Sequence, residues 1–197
     1  ILSVDHIRVD KKTVDNWEAQ AQISANSFFS YYKGALNADK GLIILRRNTL
    51  LTSSKRILIY EIDAEEGNFD FIKESPVYFD DQDYSQYVDV AITDEFAAGV
   101  TLSSDGTPQI TYFQLARNKW SDARHITDLP AGYSDLFGLS LAMQDDYLAV
   151  GDPAWGDDQG AIFIYKYNRI QDRWTLQQRL EPQSKQLLAT NRFGWSI

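Results

Sequence analysis

Phe137-Gly138-Leu139-Ser140-Leu141 returns 56 residues later as Phe193-Gly194-Trp195-Ser196-Ile197. A near-copy at such a separation marks a repeat protein. Two further landmarks keep the period. An aromatic residue follows a polar turn in Asp15-Asn16-Trp17, Gly67-Asn68-Phe69, Asn118-Lys119-Trp120 and Asp172-Arg173-Trp174, at intervals of 52, 51 and 54 residues. An apolar run follows a turn in Leu42-Ile43-Ile44-Leu45, Phe96-Ala97-Ala98-Gly99-Val100 and Tyr147-Leu148-Ala149-Val150-Gly151. The three landmarks recur in one order, so the chain is read as a repeat of about 52 to 56 residues.

Each repeat reads as four short strands. In the clearest one, Gly138 to Gln144 alternates toward a turn at Asp145-Asp146, and Tyr147 to Val150 is a compact apolar run. Ala161 to Tyr167 sets Ile162, Ile164 and Lys166 against Phe163, Tyr165 and Tyr167, and Arg173 to Leu180 sets Trp174, Leu176 and Gln178 against Thr175, Gln177 and Arg179. Alternation with period two, rich in β-branched and aromatic residues and punctuated by Gly, Asp, Asn and Pro, is the strand signature. The best helical candidate, Asn16 to Ser24, coincides with a landmark and is read as strand.

Four strands per unit at this period predict an all-β fold, a β-propeller of four-stranded antiparallel blades. A twisted four-stranded sheet buries its apolar faces only against neighbouring blades, so such units come in rows. The expected division is a blade remnant over 1–23, blades over about 26–80, 84–129 and 133–182, and the start of another over 192–197. That is an incomplete arc of about 3.5 to 4 blades, short of the about four to eight with which propellers close. The expectation is a piece of a larger ring, completed by blades of the same or a partner chain.

With 44% hydrophobic and 13% aromatic residues, the 197-residue chain can bury a sizeable core. Its formal charge of -9 argues against a phosphate-backbone partner, which requires clustered Lys and Arg, so no nucleic acid is expected. Arg46-Arg47 is the adjacent basic pair near a strand and reads as a solvated edge. No apolar stretch approaches the ~20 residues of a membrane span. The absence of cysteine removes disulfides, thiolate nucleophiles and zinc-thiolate sites.

The stretch Phe137 to Ala142, then Tyr147-Leu148-Ala149-Val150-Gly151-Asp152-Pro153, Gly160 to Tyr165 and Trp174 to Leu180 resembles a repeat of the FG-GAP family. That family builds integrin alpha-chain-like propellers, commonly seven-bladed. The resemblance is strong over 137–197 and faint before it, where Gln86-Tyr87 stands in place of Phe-Gly and Leu45-Arg46-Arg47 in place of the Gly-Ala-Pro end. It implies an extracellular or cell-surface module for adhesion and protein binding. Some FG-GAP arrays are attached to hydrolases, which makes a propeller domain of a secreted hydrolase the alternative; a scaffold subunit is a third reading.

The signature residues have architectural reasons: Gly138 and Gly194 permit close backbone approach where one blade hands over to the next, and Phe137 and Phe193 pack between blades. Chemistry then falls to loops. Asp152, Asp157 and Asp158 in Asp152-Pro153-Ala154-Trp155-Gly156-Asp157-Asp158 are the candidate ligands for calcium, which takes six to eight oxygens. The family's own calcium loop lies between the first two strands of a blade, where this chain has only the turn Asp145-Asp146. Trp155 is the candidate ligand-binding anchor, with folding back over the blade edge as its structural alternative. No catalytic residue is assigned: His6 and His125 have no nucleophile motif beside them, and the inward ends of first strands offer only Ser30, Asp89 and Ser140. The run Asp80-Asp81-Gln82-Asp83 reads as a solvated linker. The function expected is therefore non-catalytic binding of a protein or glycan.

Overall fold

A computed structural model of the chain describes residues 6–12, 17–24, 29–37, 41–48, 55–63, 68–74, 89–103, 106–182 and 192–197; of the side chains before residue 89, it describes those of Ala35, 57–61 and 70–73. The run Asp80 to Asp83 and the pair Gln86-Tyr87 lie outside the described residues, as do the side chains of His6, Ser30, Arg46 and Arg47.

The described residues are all-β apart from one short turn. β1 (His6–Lys12) and β2 (Trp17–Ser24) pair as a hairpin. β3 (Phe29–Asn37), β4 (Gly41–Asn48), β5 (Lys55–Asp63) and β6 (Asn68–Glu74) form a four-stranded antiparallel sheet in sequence order. In the next sheet β7 (Val90–Ile92), β8 (Phe96–Leu102) and β9 (Pro108–Ala116) are followed by β10 (Lys119–Trp120) and β11 (Arg124–His125), which both pair with β9. β12 (Leu141–Gln144), β13 (Tyr147–Asp152), β14 (Ala161–Asn168) and β15 (Arg173–Leu180) form the last four-stranded sheet. α1 (Trp155–Asp158) is the one helical turn among the described residues.

The aromatic landmark has the same structural address in all four units. It is the first or second residue of the outermost strand, where Trp17 faces Lys12, Phe69 faces Ile62, Trp120 faces Leu115 and Trp174 faces Tyr167. Just beyond it the outermost strand carries one extra residue. The register slips between Val9 and Asp10, between Ile59 and Tyr60, and between Ile164 and Tyr165, leaving Gln20, Ile72 and Gln177 unmatched. In the third unit Leu115 faces Trp120 while Tyr112 faces Arg124, so the same slip separates β10 from β11. Such a bulge sharpens the local twist and reverses which side chains face in. The alternation expected through Gln178 is corrected on this ground: Trp174 is buried and Leu176 half-buried, but Gln177, Gln178 and Arg179 are all exposed.

Alternation holds in β14, where Ala161, Phe163, Tyr165 and Tyr167 are buried and the residues between them only half-buried. β8 is buried along its whole length, as a central strand covered on both faces must be. Phe96 and Tyr112 pack against Tyr167 and Trp174 of the following sheet, with ring centroids 4.6 Å apart for Phe96 and Tyr167, 5.1 Å for Phe96 and Trp174, and 6.2 Å for Tyr112 and Trp174. A buried ring removes about 150–250 Å² from water, a gross gain of about 4–6 kcal/mol at about 25 cal/mol per Å². This cluster joins the outer halves of the two sheets.

The inner halves are joined through the Phe-Gly pairs. Gly138 has φ +87 and lies on Val100 and Ile110 of the preceding sheet, and Gly194 has φ +85 and lies on Gly151 and Ala161. Val100 and Gly151 are 51 residues apart, as are Ile110 and Ala161, so the contact itself repeats. A Cβ on Gly138 would overlap the Val100 side chain, whereas one on Gly132, at φ +74, would meet nothing. Gly138→Ala is expected to lower unfolding stability by about 2–4 kcal/mol, from left-handed strain plus overpacking; Gly132→Ala should cost about 1 kcal/mol, from strain alone. Urea titration of both variants checks the difference, and equal losses would rule out the packing role.

Candidate functional site

The loop after β13 is a strained turn. Gly156 (φ 61, ψ 55) and Asp157 (φ 58, ψ 52) are left-handed, and Asp158 follows at φ 63. For a residue other than glycine this conformation costs about 1–2 kcal/mol, so the surroundings must hold it. The Gly160 N–H donates to the Trp155 carbonyl (2.9 Å), and the arriving segment adds Arg192 N–H to the Asp158 carbonyl (3.1 Å) and Phe193 N–H to the Gln159 carbonyl (3.1 Å).

Trp155 is half-buried, its ring edge-on to Phe163 with centroids 5.1 Å apart and its face covered by the Arg179 guanidinium at 5.1 Å. It therefore folds back over the sheet instead of standing free in solvent. Phe163 draws it inward, and Arg179, 2.6 Å from Glu181, caps it. Trp195 lies at the same end of the sheet, because its segment is hydrogen-bonded to this turn, and remains 46% exposed beneath Arg192 at 5.2 Å. Sequence reasoning passed over Trp195; the available signal was a tryptophan where the near-copy has Leu139, which is buried.

The three candidate calcium ligands occupy different surroundings. Asp152 is fully buried, and its carboxylate accepts the Ser134 N–H at 2.8 Å and the Ser134 hydroxyl, which ties the chain entering the sheet to the end of β13. Asp157 and Asp158 are exposed on the turn. Among the described residues no group of three or more His, Asp or Glu side chains is placed to hold a metal ion.

Asp89 and Ser140, the first-strand ends available to a catalytic reading, act between sheets. The Leu141 N–H donates to Asp89 Oδ2 (3.2 Å), and the Ser140 hydroxyl donates to the Gly194 carbonyl (2.8 Å). Farther out, Lys73 pairs with Asp122 (2.7 Å) and Arg124 with Asp172 (3.1 Å), each cation reaching from one sheet to the next. The Tyr167 hydroxyl first, then Arg124, holds the Asp172 carboxyl below the ordinary carboxylate range. Among the described residues no helix is long and apolar enough to cross a membrane.

Residues 120–165 match the family model of the FG-GAP repeat, so this segment carries such a repeat. The match starts at the landmark Trp120, earlier than the resemblance read from the sequence, and stops at Tyr165, short of the second Phe-Gly pair. Comparison with curated proteins gave no match. Among solved structures, a structural-genomics target from Lactobacillus plantarum superposes with a TM-score of 0.48 at 14% identity, covering 89% of this chain and 49% of that one. The chain thus spans about half the length of that protein.

Asp152→Ala removes the buried acceptor of two half-buried Ser134 donors and is expected to cost about 1–3 kcal/mol; Asp157→Gly, which relieves left-handed strain, should gain up to about 1 kcal/mol. Thermal unfolding of the two variants tests this pair of opposite signs. Lowering pH should weaken the Asp172 tie in one direction only. With its folded pKa depressed, the contribution is complete above the unfolded value of about 3.9 and is lost as pH falls through the folded one. NMR titration of the Asp172 carboxyl checks it, a midpoint at or above the ordinary value being the contrary result.

Proposed function

We propose that the sheets are blades of part of a β-propeller, and that the chain is a non-catalytic binding module that takes a protein or glycan ligand at the end of the last sheet bearing Trp155, Arg179, Arg192 and Trp195. The observation that carries this is the pair of indole rings, each beneath a guanidinium, at that one end. Tryptophan and arginine dominate binding hot spots because they combine large apolar area with directed hydrogen bonding. An indole face suits the apolar face of a sugar or an aromatic side chain, and the adjacent guanidinium adds donors for hydroxyls or carboxylates. The FG-GAP match and the succession of similar sheets support the propeller, and the family resemblance supports a cell-surface or secreted setting.

The binding reading is preferred to a hydrolase domain because Asp89 and Ser140 are engaged in holding sheets together. His125 likewise bonds a threonine of its own sheet. Calcium, if it participates, would act through Asp157 and Asp158 with backbone carbonyls, since Asp152 is held by Ser134.

The test is a glycan array and a panel of extracellular-matrix proteins probed with the full chain, with and without a chelator. Trp155→Ala and Arg179→Ala are each expected to weaken binding by roughly tenfold or more, as truncation of a hot-spot residue does, with thermal unfolding measured alongside. Retained affinity in folded variants would remove this face from consideration, and binding lost with chelator alone would point to the carboxylates.

A further inference from the structure

Tyr165 is wholly buried, at 0% exposure, and among the described residues its hydroxyl has no hydrogen-bond partner. It stands between Phe163 and Tyr167 on one face of β14, the face that Tyr167 packs against Phe96 of the preceding sheet. Burial raises the Tyr165 pKa above its ordinary value, and the nearby Asp128 carboxylate and Tyr133 raise it further. Both neighbours belong to the segment that joins β11 to β12.

This linker leaves the outermost strand of one sheet and enters the first strand of the next. Direct bonds fix it near both ends: the Ile126 N–H donates to the Ile110 carbonyl at 3.0 Å, and the Ser134 N–H donates to Asp152 at 2.8 Å. Between them, Asp128 Oδ2 accepts the Leu176 N–H at 2.8 Å. Leu176 faces Tyr165 in the β14–β15 register, beside the bulge. Farther along, the Tyr133 ring lies 5.1 Å from Phe137, which lies 5.8 Å from Phe163, two residues before Tyr165. The linker thus runs past the Tyr165 ring and brings a carboxylate and a second phenol close to its hydroxyl.

We propose that an ordered water is bound beneath this linker, accepting the Tyr165 hydroxyl proton and donating to Asp128, and that it fastens the linker to the last sheet. A buried tyrosine hydroxyl ordinarily finds a partner, because leaving it unpaired forfeits its hydration. Waters in protein interiors satisfy such groups and need about two to four polar partners. Three are at hand: the Tyr165 hydroxyl, the Asp128 oxygen that does not hold Leu176, and the Tyr133 hydroxyl. The direction of the bonds follows from the groups. A carboxylate only accepts, so the water donates to Asp128 and its lone pair receives the Tyr165 proton. This order keeps the phenol protonated, in line with its raised pKa.

The site lies where the chain passes from one sheet to the next. Asp128 is exposed on its outer side, so the Leu176 bond alone would leave its carboxylate free to swing into solvent. A water held by Tyr165 gives that carboxylate a second anchor.

The experiment is NMR on the full chain together with urea unfolding of Tyr165→Phe. In the native protein the Tyr165 hydroxyl proton should be observable at neutral pH and should show a dipolar contact to a water that resides far longer than surface hydration. In Tyr165→Phe the Leu176 amide should exchange severalfold faster, because Asp128 loses its second anchor. The unfolded-to-folded ratio should rise roughly fivefold, the effect of losing about one net hydrogen bond. Removing a hydroxyl that has no partner would act in the opposite sense, so a lower ratio in Tyr165→Phe would overturn the site. A hydroxyl proton without a water contact, or unchanged Leu176 exchange in the variant, would also overturn it. Should the variant not fold, the hydroxyl-to-water contact in the native chain decides.

Discussion

The Gly194 carbonyl accepts the Ser140 hydroxyl while its backbone lies directly on Gly151 and Ala161, and one unit earlier Gly138 lies on Val100 and Ile110. At each place the incoming chain must come closer to the preceding sheet than a Cβ allows, and in a left-handed conformation that only glycine adopts cheaply. This close approach sets how far apart successive sheets start. Given that spacing, Phe137 fills the inner gap, meeting Tyr133 at 5.1 Å and Phe163 at 5.8 Å. Asp89 and Ser140 then find their partners one unit on. If the glycines were displaced, the hydrogen bonds would be lost with the packing, since both are made by the same few residues.

Toward the outermost strands, larger groups fill the space between sheets. The outermost strand supplies these, and its bulge adds the local twist that lets it do so. Trp120 and Trp174 are both buried, and among the described residues neither indole nitrogen has a hydrogen-bond partner, so ring area rather than the N–H holds them there. That accounts for Phe69 at the same address, where no indole exists. Beyond the rings come the ion pairs Lys73–Asp122 and Arg124–Asp172, partly solvated and individually weak, which fix orientation more than stability.

The period and the strand order were legible because they rest on features a sequence displays: aromatic residues after polar turns, alternation, and glycine where backbone comes close. The bulge was not legible. One extra residue among Thr175, Leu176, Gln177 and Gln178 leaves the composition unchanged, and the slip shows only when each residue's partner across the strands is known. The surroundings of Asp152 were hidden for another reason: its partner Ser134 lies 18 residues upstream in a loop with no pattern of its own. The small neighbours Ala154 and Gly156 left Trp155 open to two readings, an exposed anchor or a ring folded back, and Phe163 and Arg179, from strands further along the chain, are what fold it back. Local polarity describes a loop's sequence neighbours, whereas burial is decided by what the fold lays over it.

The candidate face and the contact between units are built from the same residues. The left-handed turn at Gly156 to Asp158 has two carbonyl acceptors, those of Asp158 and Gln159, that are satisfied by the N–H groups of Arg192 and Phe193. Those two residues lead directly into Gly194, whose approach to Gly151 spaces the units. Seating the Phe-Gly pair therefore holds the strained turn, places Arg192 over Trp195 and positions Trp155 beneath Arg179 in a single step. A ligand resting on the two indoles would press on the contact that orders the repeat. Under the binding role proposed above, ligand binding and the contact between successive units would be coupled through the backbone of residues 192–194.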